Sequence, residues 1–351
     1  MRAAGDLHSV LQRRREAVIL TAFPELTMFE KEIETALDAV RLAALLCRRV
    51  RRDLVTEETI AKLDRSPVTV ADYASQAVII HTLARSFPGD AIVAEEDSSA
   101  LGQESNVVLR SRIVEYVNDY VPGLTEADVL AAVDGGRCEG GEGRFWTLDP
   151  IDGTKGYIRG DRYAVALAMI EDGEVALGVL GCPNLDPLDP LIASDTGCLF
   201  HALRGGGAFV RDLETGPAGP ITVSGNADPA QAVFCESYES VHSSHHGSGR
   251  MMRTLGTTRP PVRVDSQAKY ALVACGAAGV YLRLPTRADY EEKIWDHAAG
   301  WLLVREAGGR VTDVNGKAID FSRGRTLSSN SGLVVTNGHL HAAVLDAFKS
   351  A

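Results

Sequence analysis

The 351-residue chain is short of positive charge: 36 lysines and arginines face 47 aspartates and glutamates, a formal net charge of −11. That balance excludes a nucleic-acid polymer as partner, because binding to a phosphate backbone draws its affinity from clustered cations. Long apolar runs are lacking too. The longest nearly unbroken one, Ala271 to Leu282, has 12 residues and contains Gly276 and Gly279, too few to cross a membrane as a helix. Cysteine is sparse and scattered: Cys47, Cys138, Cys182, Cys198, Cys235 and Cys275 form no CxxC pair. This excludes a disulfide scaffold and the usual zinc-ligand spacings, and reads as reduced, mostly buried small side chains in a reducing compartment. The first 27 residues have no secretory apolar core, so a cytoplasmic location is expected. Arg2, Arg13, Arg14 and Arg15 against only Asp6, Glu16 and Glu25 leave two readings open there, an organellar transit segment or an unstructured start ahead of Met28.

What is present is the composition of an ordinary globular protein, 45% hydrophobic and 24% charged. The length favours two domains, and two domains enclose a cleft. From Phe29 to Leu54 the apolar positions Ile33, Leu37, Val40, Ala44, Cys47 and Val50 recur at three or four residues, while Glu30, Glu32, Arg41, Arg48 and Arg52 take other faces. The spacing predicts an amphipathic helix. Ser66 to Asp72 reads as a short extended stretch that ends in a helix, running on until Pro88-Gly89. Ala91 to Ala94 reads as a buried strand delivering Glu95, Glu96 and Asp97 at its end. One helix is expected near Ser111 to Tyr120, followed by a mobile acidic loop from Asp134 to Gly143. Phe145 to Leu148 reads as a strand, Tyr163 to Ile170 and Val175 to Cys182 as a hairpin through Asp172-Gly173, and Cys198 to Arg204 with Ala208 to Val210 as another. Beyond residue 225 strands at Ala232 to Cys235 and Val280 to Leu284 alternate with helices at Lys269 to Ala278 and His297 to Ala307, the last stopped by Gly308-Gly309. The expected organisation is an N-terminal extension over 1–27, an α+β domain with an antiparallel sheet over 28–225, and a smaller α/β domain over 226–351.

Chemistry concentrates in acids placed at element ends. Asp149 and Asp152 flank a stiffening Pro150 and precede Gly153, so two carboxylates share one turn, suited to a hard cation, with N–H groups behind them for an anion. Taken alone, a DxxD is more often a capping Asx turn. Asp72, Glu95 and Asp296 shift that balance: if these acids converge they need metal ions, because like charges a few Å apart cannot all stay ionised. His242-Ser-Ser-His245-His246 reads either as a polar loop or as a weak metal site. Lys269 reads as a surface lysine at a helix start, where the dipole mildly disfavours it.

Three sequence words, Val93-Ala-Glu95-Glu96-Asp97, Leu148-Asp149-Pro-Ile-Asp152-Gly-Thr154-Lys155-Gly156 and Ile294-Trp-Asp296-His-Ala-Ala-Gly300 closed by Glu306-Ala-Gly-Gly309, resemble the metal-binding motifs of the inositol monophosphatase superfamily. Ser66-Pro-Val-Thr-Val-Ala-Asp72-Tyr, His242-Ser-Ser-His245, Asp265-Ser266-Gln-Ala-Lys269-Tyr270, Tyr281-Leu-Arg283-Leu-Pro285 and Glu292-Lys-Ile-Trp-Asp296 are similar to its 3′(2′),5′-bisphosphate nucleotidase branch. The likeness runs from about Phe29 to Ser328. It implies a layered αβαβα sandwich and two or three Mg²⁺ ions held by Glu95, Asp149, the carbonyl of Ile151, Asp152 and Asp296. It also implies that Asp72 and Thr154 position and deprotonate the attacking water, and that Gly153 and Thr154 give N–H groups to the phosphate. His242, Ser266, Lys269, Arg283 and Asp296 would surround a nucleotide, with Lys269 or Arg283 on its uncleaved phosphate. The implied activity is release of the 3′-phosphate of adenosine 3′,5′-bisphosphate, with its sulfated form as a further substrate in sulfur metabolism, by a lithium-sensitive monomer. Two alternatives stay open at this point, an inositol phosphate phosphatase and a catalytically silent nucleotide sensor.

Overall fold

The computed structural model describes residues 29–55, 66–186, 191, 194, 196–238, 245–285, 287 and 290–349. The N-terminal extension and His242 lie outside the described residues.

Helix α1 (Glu30–Leu54) buries Ile33, Val40, Ala44, Cys47 and Val50 as its spacing requires. Glu32, placed by the sequence on an outward face, is instead buried and ion-paired with Arg144 at 2.9 Å. Helix α2 (Ser66–Ser86) corrects one expectation: the stretch to Asp72 is helical, and Asp72 sits in the second turn rather than at a junction. Val68, Thr69 and Val70 favour extended backbone only weakly, whereas burial of Val68, Val70 and Ala71 rewards the helix, and a proline at its second residue removes an N–H that needs no partner. After β1 (Ala91–Ala94) come α3 (Val107–Tyr120) and a second helix missed in the sequence, α4 (Glu126–Asp134), opened by a capping box between Thr125 and Asp128. The acidic loop that follows is partly tied down: Cys138 N donates to Ile92 O at 3.0 Å and Ala94 N to Gly136 O at 2.8 Å, laying it along β1.

Strand β2 (Arg144–Asp152) leads through the short helix α5 (Thr154–Arg159) into β3 (Ala164–Glu171), β4 (Glu174–Cys182), β5 (Cys198–Leu203), β6 (Gly207–Asp212) and β7 (Gly219–Ile221). These seven strands form one sheet in sequence order, antiparallel throughout except for the parallel β1–β2 pair. Both expected hairpins are present. A second sheet, ordered β11-β12-β10-β8-β9, is built from β8 (Phe234–Glu236), β9 (Val262–Arg263), β10 (Val280–Arg283), β11 (Arg310–Thr312) and β12 (Leu333–Thr336). Its helices are α6 (His245–Thr254), α7 (Ala268–Ala274), α8 (Ala298–Glu306) and α9 (His341–Lys349).

The layers follow from burial on both faces of each sheet. Along β3, Val165, Leu167 and Met169 join α1 and α2 in one core, while Ala164, Ala166, Ala168 and Ile170 join α7, α8 and the second sheet in another. A third core lies between the second sheet and α6 and α9, around Phe234, Met251, Leu282 and Val344. The result is the expected αβαβα sandwich. The alanines of β3 and Gly178 of β4 admit α8 at close range: a Cβ on Gly178 would stand 2.9 Å from the Ala299 backbone. That approach sets the residues just before α8, including Asp296, over the carboxyl end of β2.

Candidate active site

Each acid reaches the site through a local feature of its element. Strand β1 pairs in parallel with β2, and Glu95 follows its last residue with its N–H on Leu148 O at 3.3 Å. The register of β2 against β3 shifts between Asp149 and Asp152, so the strand kinks out of the sheet. Ser75 Oγ supports the kink by donating to Pro150 O at 3.1 Å. Gly153, at φ +90°, turns the chain into α5. Asp72 enters from α2, which packs on α5.

From the other half come Ser266 and Lys269 at the start of α7, Arg283 at the end of β10 and Asp296 on the turn before α8. Glu95, Asp149, Ile151, Asp152, Gly153, Thr154, Ser266, Lys269, Arg283 and Asp296 line one cavity of about 470 Å³. Asp72 is buried behind it. Thr154 Oγ1 is directed to Ile151 O at 3.5 Å, and no bond joins Thr154 to Asp72 among the described residues.

The acids strain against one another. Exclusion from water, then the charges of Glu95, Asp152 and Asp296, holds Asp149 well above the usual carboxylate range. Burial and the neighbouring Glu96 and Glu95 do the same to Asp72, and burial with Asp152 to Asp296. Glu95 opens to the cleft, yet the surrounding walls and Glu96 push it up to about 7. Burial raises Asp152 as well, but less, since Lys269 and the Gln267 N–H, at 2.6 Å from its Oδ2, favour its charge. Asp149 Oδ1 is buried with no hydrogen-bond partner. An all-oxygen donor set, mutual repulsion and one orphaned carboxylate oxygen fit a hard divalent cation such as Mg²⁺.

The cations on the far wall are not equivalent. Lys269 is no surface lysine: it is 2% exposed, its Nζ donates to Val264 O at 3.0 Å and lies 5.2 Å from the Tyr281 ring centroid. Arg283 is committed to Glu292, with Nε to Oε1 at 3.0 Å and Nη2 to Oε2 at 3.0 Å, and its Nη2 lies 3.9 Å from Asp296. Burial would raise Glu292, but His297 and Arg283 bring it down to about 2. His297 Nε2 lies 3.2 Å from Glu292 Oε2 and its Nδ1 2.9 Å from Tyr270 Oη. Glu292, Asp296 and His297 stand close enough for a metal ion; with Glu292 spent on the Arg283 guanidinium and hydrogen-bonded to His297, we read Glu292 and His297 as a knot around Arg283, which leaves Asp296 to the cleft.

Sequence reasoning missed Glu292, His297 and Gln267. Gln267 joins three parts of the site, its N–H on Asp152, its Nε2 on Trp295 O at 2.8 Å and its Oε1 on Gly300 N at 3.1 Å. Glu292 stood in a recognised word, but its pairing across nine residues with Arg283 is visible only once β10 and the returning loop are placed.

The inositol monophosphatase family matches residues 29–351. A 3′(2′),5′-bisphosphate nucleotidase of Oryza sativa is 44% identical over 340 residues, covering 92% of this chain and 95% of its own. That of Emericella nidulans is 42% identical over 346 residues, covering 92% and 98%, and that of Dictyostelium discoideum 41% over 322 residues, covering 90% and 95%. Among solved structures, an inositol monophosphatase from Anabaena (Nostoc) superposes with a TM-score of 0.58 at 22% identity, over 91% of this chain and 97% of that one. Inositol monophosphatase II from Staphylococcus aureus does so with a TM-score of 0.60 at 16% identity, over 91% and 95%. These two share the fold. On the family match and the identity to curated relatives along nearly their whole length, the chain belongs to the inositol monophosphatase family.

Proposed function

We propose that this chain is a Mg²⁺-dependent phosphohydrolase that removes the 3′-phosphate of adenosine 3′,5′-bisphosphate to give AMP and phosphate, and that it accepts the sulfated nucleotide in the same pose. The observation that carries the reading is one cleft with carboxylates on one wall, including the unpartnered Asp149 Oδ1, and Lys269 and Arg283 on the other. A substrate with two phosphates uses both walls. The names of the relatives at 41–44% identity support the nucleotide as that substrate.

Glu95, Asp149, the Ile151 carbonyl, Asp152 and Asp296 would hold two or three cations. When bound, these supply positive charge at the phosphoryl oxygens and make the attacking water more acidic. Asp72 takes the proton, its burial favouring the protonated form. Thr154 orients the water from the start of α5, and the N–H groups of Gly153 and Thr154 face the phosphate. Lys269, with N–H donors left after Val264, holds the second phosphate. Arg283 is neutralised by Glu292 and serves as a fixed hydrogen-bond fork more than as a free charge. Asp296 borders the sugar and Ser266 the nucleotide, and by its motif His242 belongs with the nucleotide-binding residues. In this reading the protein acts as a monomer in sulfur metabolism, and its two halves divide near residue 225, between β7 and β8. Phosphate release from adenosine 3′,5′-bisphosphate, with and without Mg²⁺, tests it.

A further inference from the structure

A second cavity, of about 730 Å³, lies at the other end of α5. The carboxylate cleft takes Gly153 and Thr154 from the N-terminal end of this six-residue helix, and the second cavity takes Gly160, its C-terminal stop. Four arginines of α1, Arg48, Arg49, Arg51 and Arg52, line it. Three carboxylates lie within ion-pair distance of them: Glu214 on Arg48 at 3.0 Å, Asp119 on Arg49 at 3.1 Å, and Asp53 between Arg49 at 3.4 Å and Arg52 at 3.0 Å. Arg51 has no carboxylate partner among the described residues. Its Nε donates to Tyr157 O at 2.8 Å, and one terminal nitrogen rests where Gly160, at φ +80°, has no Cβ. The guanidinium is therefore fixed at one N–H, with its two terminal amino groups unspent.

The floor of the cavity gives an independent sign. Tyr163, 1% exposed, lines it and buries its hydroxyl without a hydrogen-bond partner, and the buried Oδ1 of Asn184 beside it has none either. Buried polar atoms are nearly always satisfied by protein, water or a bound group. An oxyanion accepts from both the guanidinium fork and the phenol. Asn184 Oδ1, an acceptor, suits a hydroxyl beside that anion, which favours a phosphate ester of a polyol over a bare inorganic ion.

We propose that this cavity is a second anion site, separate from the carboxylate cleft, that takes a phosphate or sulfate group through Arg51 and Tyr163. It does not rest on the nucleotidase reading.

The test titrates the full chain with potassium sulfate and, separately, glycerol 3-phosphate at constant ionic strength, by calorimetry and thermal unfolding. It is run with Mg²⁺ and again after chelation, when the bare carboxylates of the cleft repel anions. Binding is expected in both states. Arg51→Gln should weaken it at least about tenfold, the loss of a charge-assisted hydrogen bond. Tyr163→Phe should fold at least as well, having lost an unsatisfied hydroxyl, and bind more weakly. After chelation Lys269→Met, in the cleft, should leave binding unchanged. Tighter binding of glycerol 3-phosphate identifies a polyol phosphate as the ligand class, and tighter binding of sulfate an inorganic anion. Should Arg51→Gln not fold, Tyr163→Phe decides. No binding of either anion, full binding in the variants that fold, or loss of chelated-state binding in Lys269→Met overturns the proposal.

Discussion

Gly153 and Ser266 come from opposite halves of the molecule, both at positive φ, and meet so closely that a Cβ on Gly153 would stand 2.9 Å from the Cβ of Ser266. The turn after the carboxylate pair and the turn before α7 are thus seated against each other at the lining of the cleft.

Gly153→Ala must both hold a left-handed backbone, costing about 1–2 kcal/mol, and push Ser266 away. We expect a folded protein whose kcat/KM drops about 100-fold, the scale for a displacement of about 1 Å at a reacting centre. Phosphate-release kinetics beside circular dichroism check this, and near-normal activity would count against the seating.

The acids set a pH dependence whose sign can be worked out. Asp72, Asp149 and Asp296 are held well above their usual range and Glu95 near 7, whereas in the unfolded chain carboxyls release protons near about 4. Without divalent cations the folded state therefore holds more protons. The stability these carboxyls contribute is complete below about pH 4 and is lost as the pH rises through their folded values. The melting temperature of the chelated protein should fall between about pH 7 and 8, above the range in which His201 and His341, both held near 4 by exclusion from water, add stability as the pH rises, and Mg²⁺ or Asp149→Asn should reduce the slope. A flat or rising profile after chelation contradicts this.

Lys269→Met keeps the stem and removes the cation. A hydrogen bond to a charged group is worth about 1.5–3 kcal/mol, so kcat/KM for adenosine 3′,5′-bisphosphate should fall about 10- to 100-fold. That for adenosine 3′-monophosphate should stay within about threefold. Equal losses on both substrates would remove Lys269 from the second phosphate.

Glu292→Ala strands Arg283 and His297 in a buried setting. Breaking a buried pair by removing one partner costs about 3–5 kcal/mol, which urea unfolding measures. A change below about 1 kcal/mol would mean that solvent reaches the knot.

The sequence was most informative where chemistry and periodicity are local. The spacing from Ile33 to Val50 announced α1, Asp172-Gly173 announced a hairpin, and Glu95, Asp149 and Asp152 stood in short words at strand ends. It was least informative where one element decides another. Val68 to Val70 look extended until the core that buries them exists, and Glu32 looks exposed until Arg144 is placed beside it. Lys269 read as a surface residue because nothing near it in sequence tells that β8 and β10 pack against α7. The partner of Arg283 depends on the loop that returns nine residues later, and that of Arg51 on Tyr157, 106 residues away, which no local pattern encodes.

The central claim, a Mg²⁺-dependent nucleotidase at the carboxylate cleft, is tested most directly by phosphate release from adenosine 3′,5′-bisphosphate and, in parallel, inositol 1,4-bisphosphate, with Mg²⁺ and with or without Li⁺. The account predicts turnover of the nucleotide that requires Mg²⁺, is inhibited by Li⁺ and exceeds turnover of the inositol ester. Preference for the inositol ester, or nucleotide binding without turnover, would contradict it.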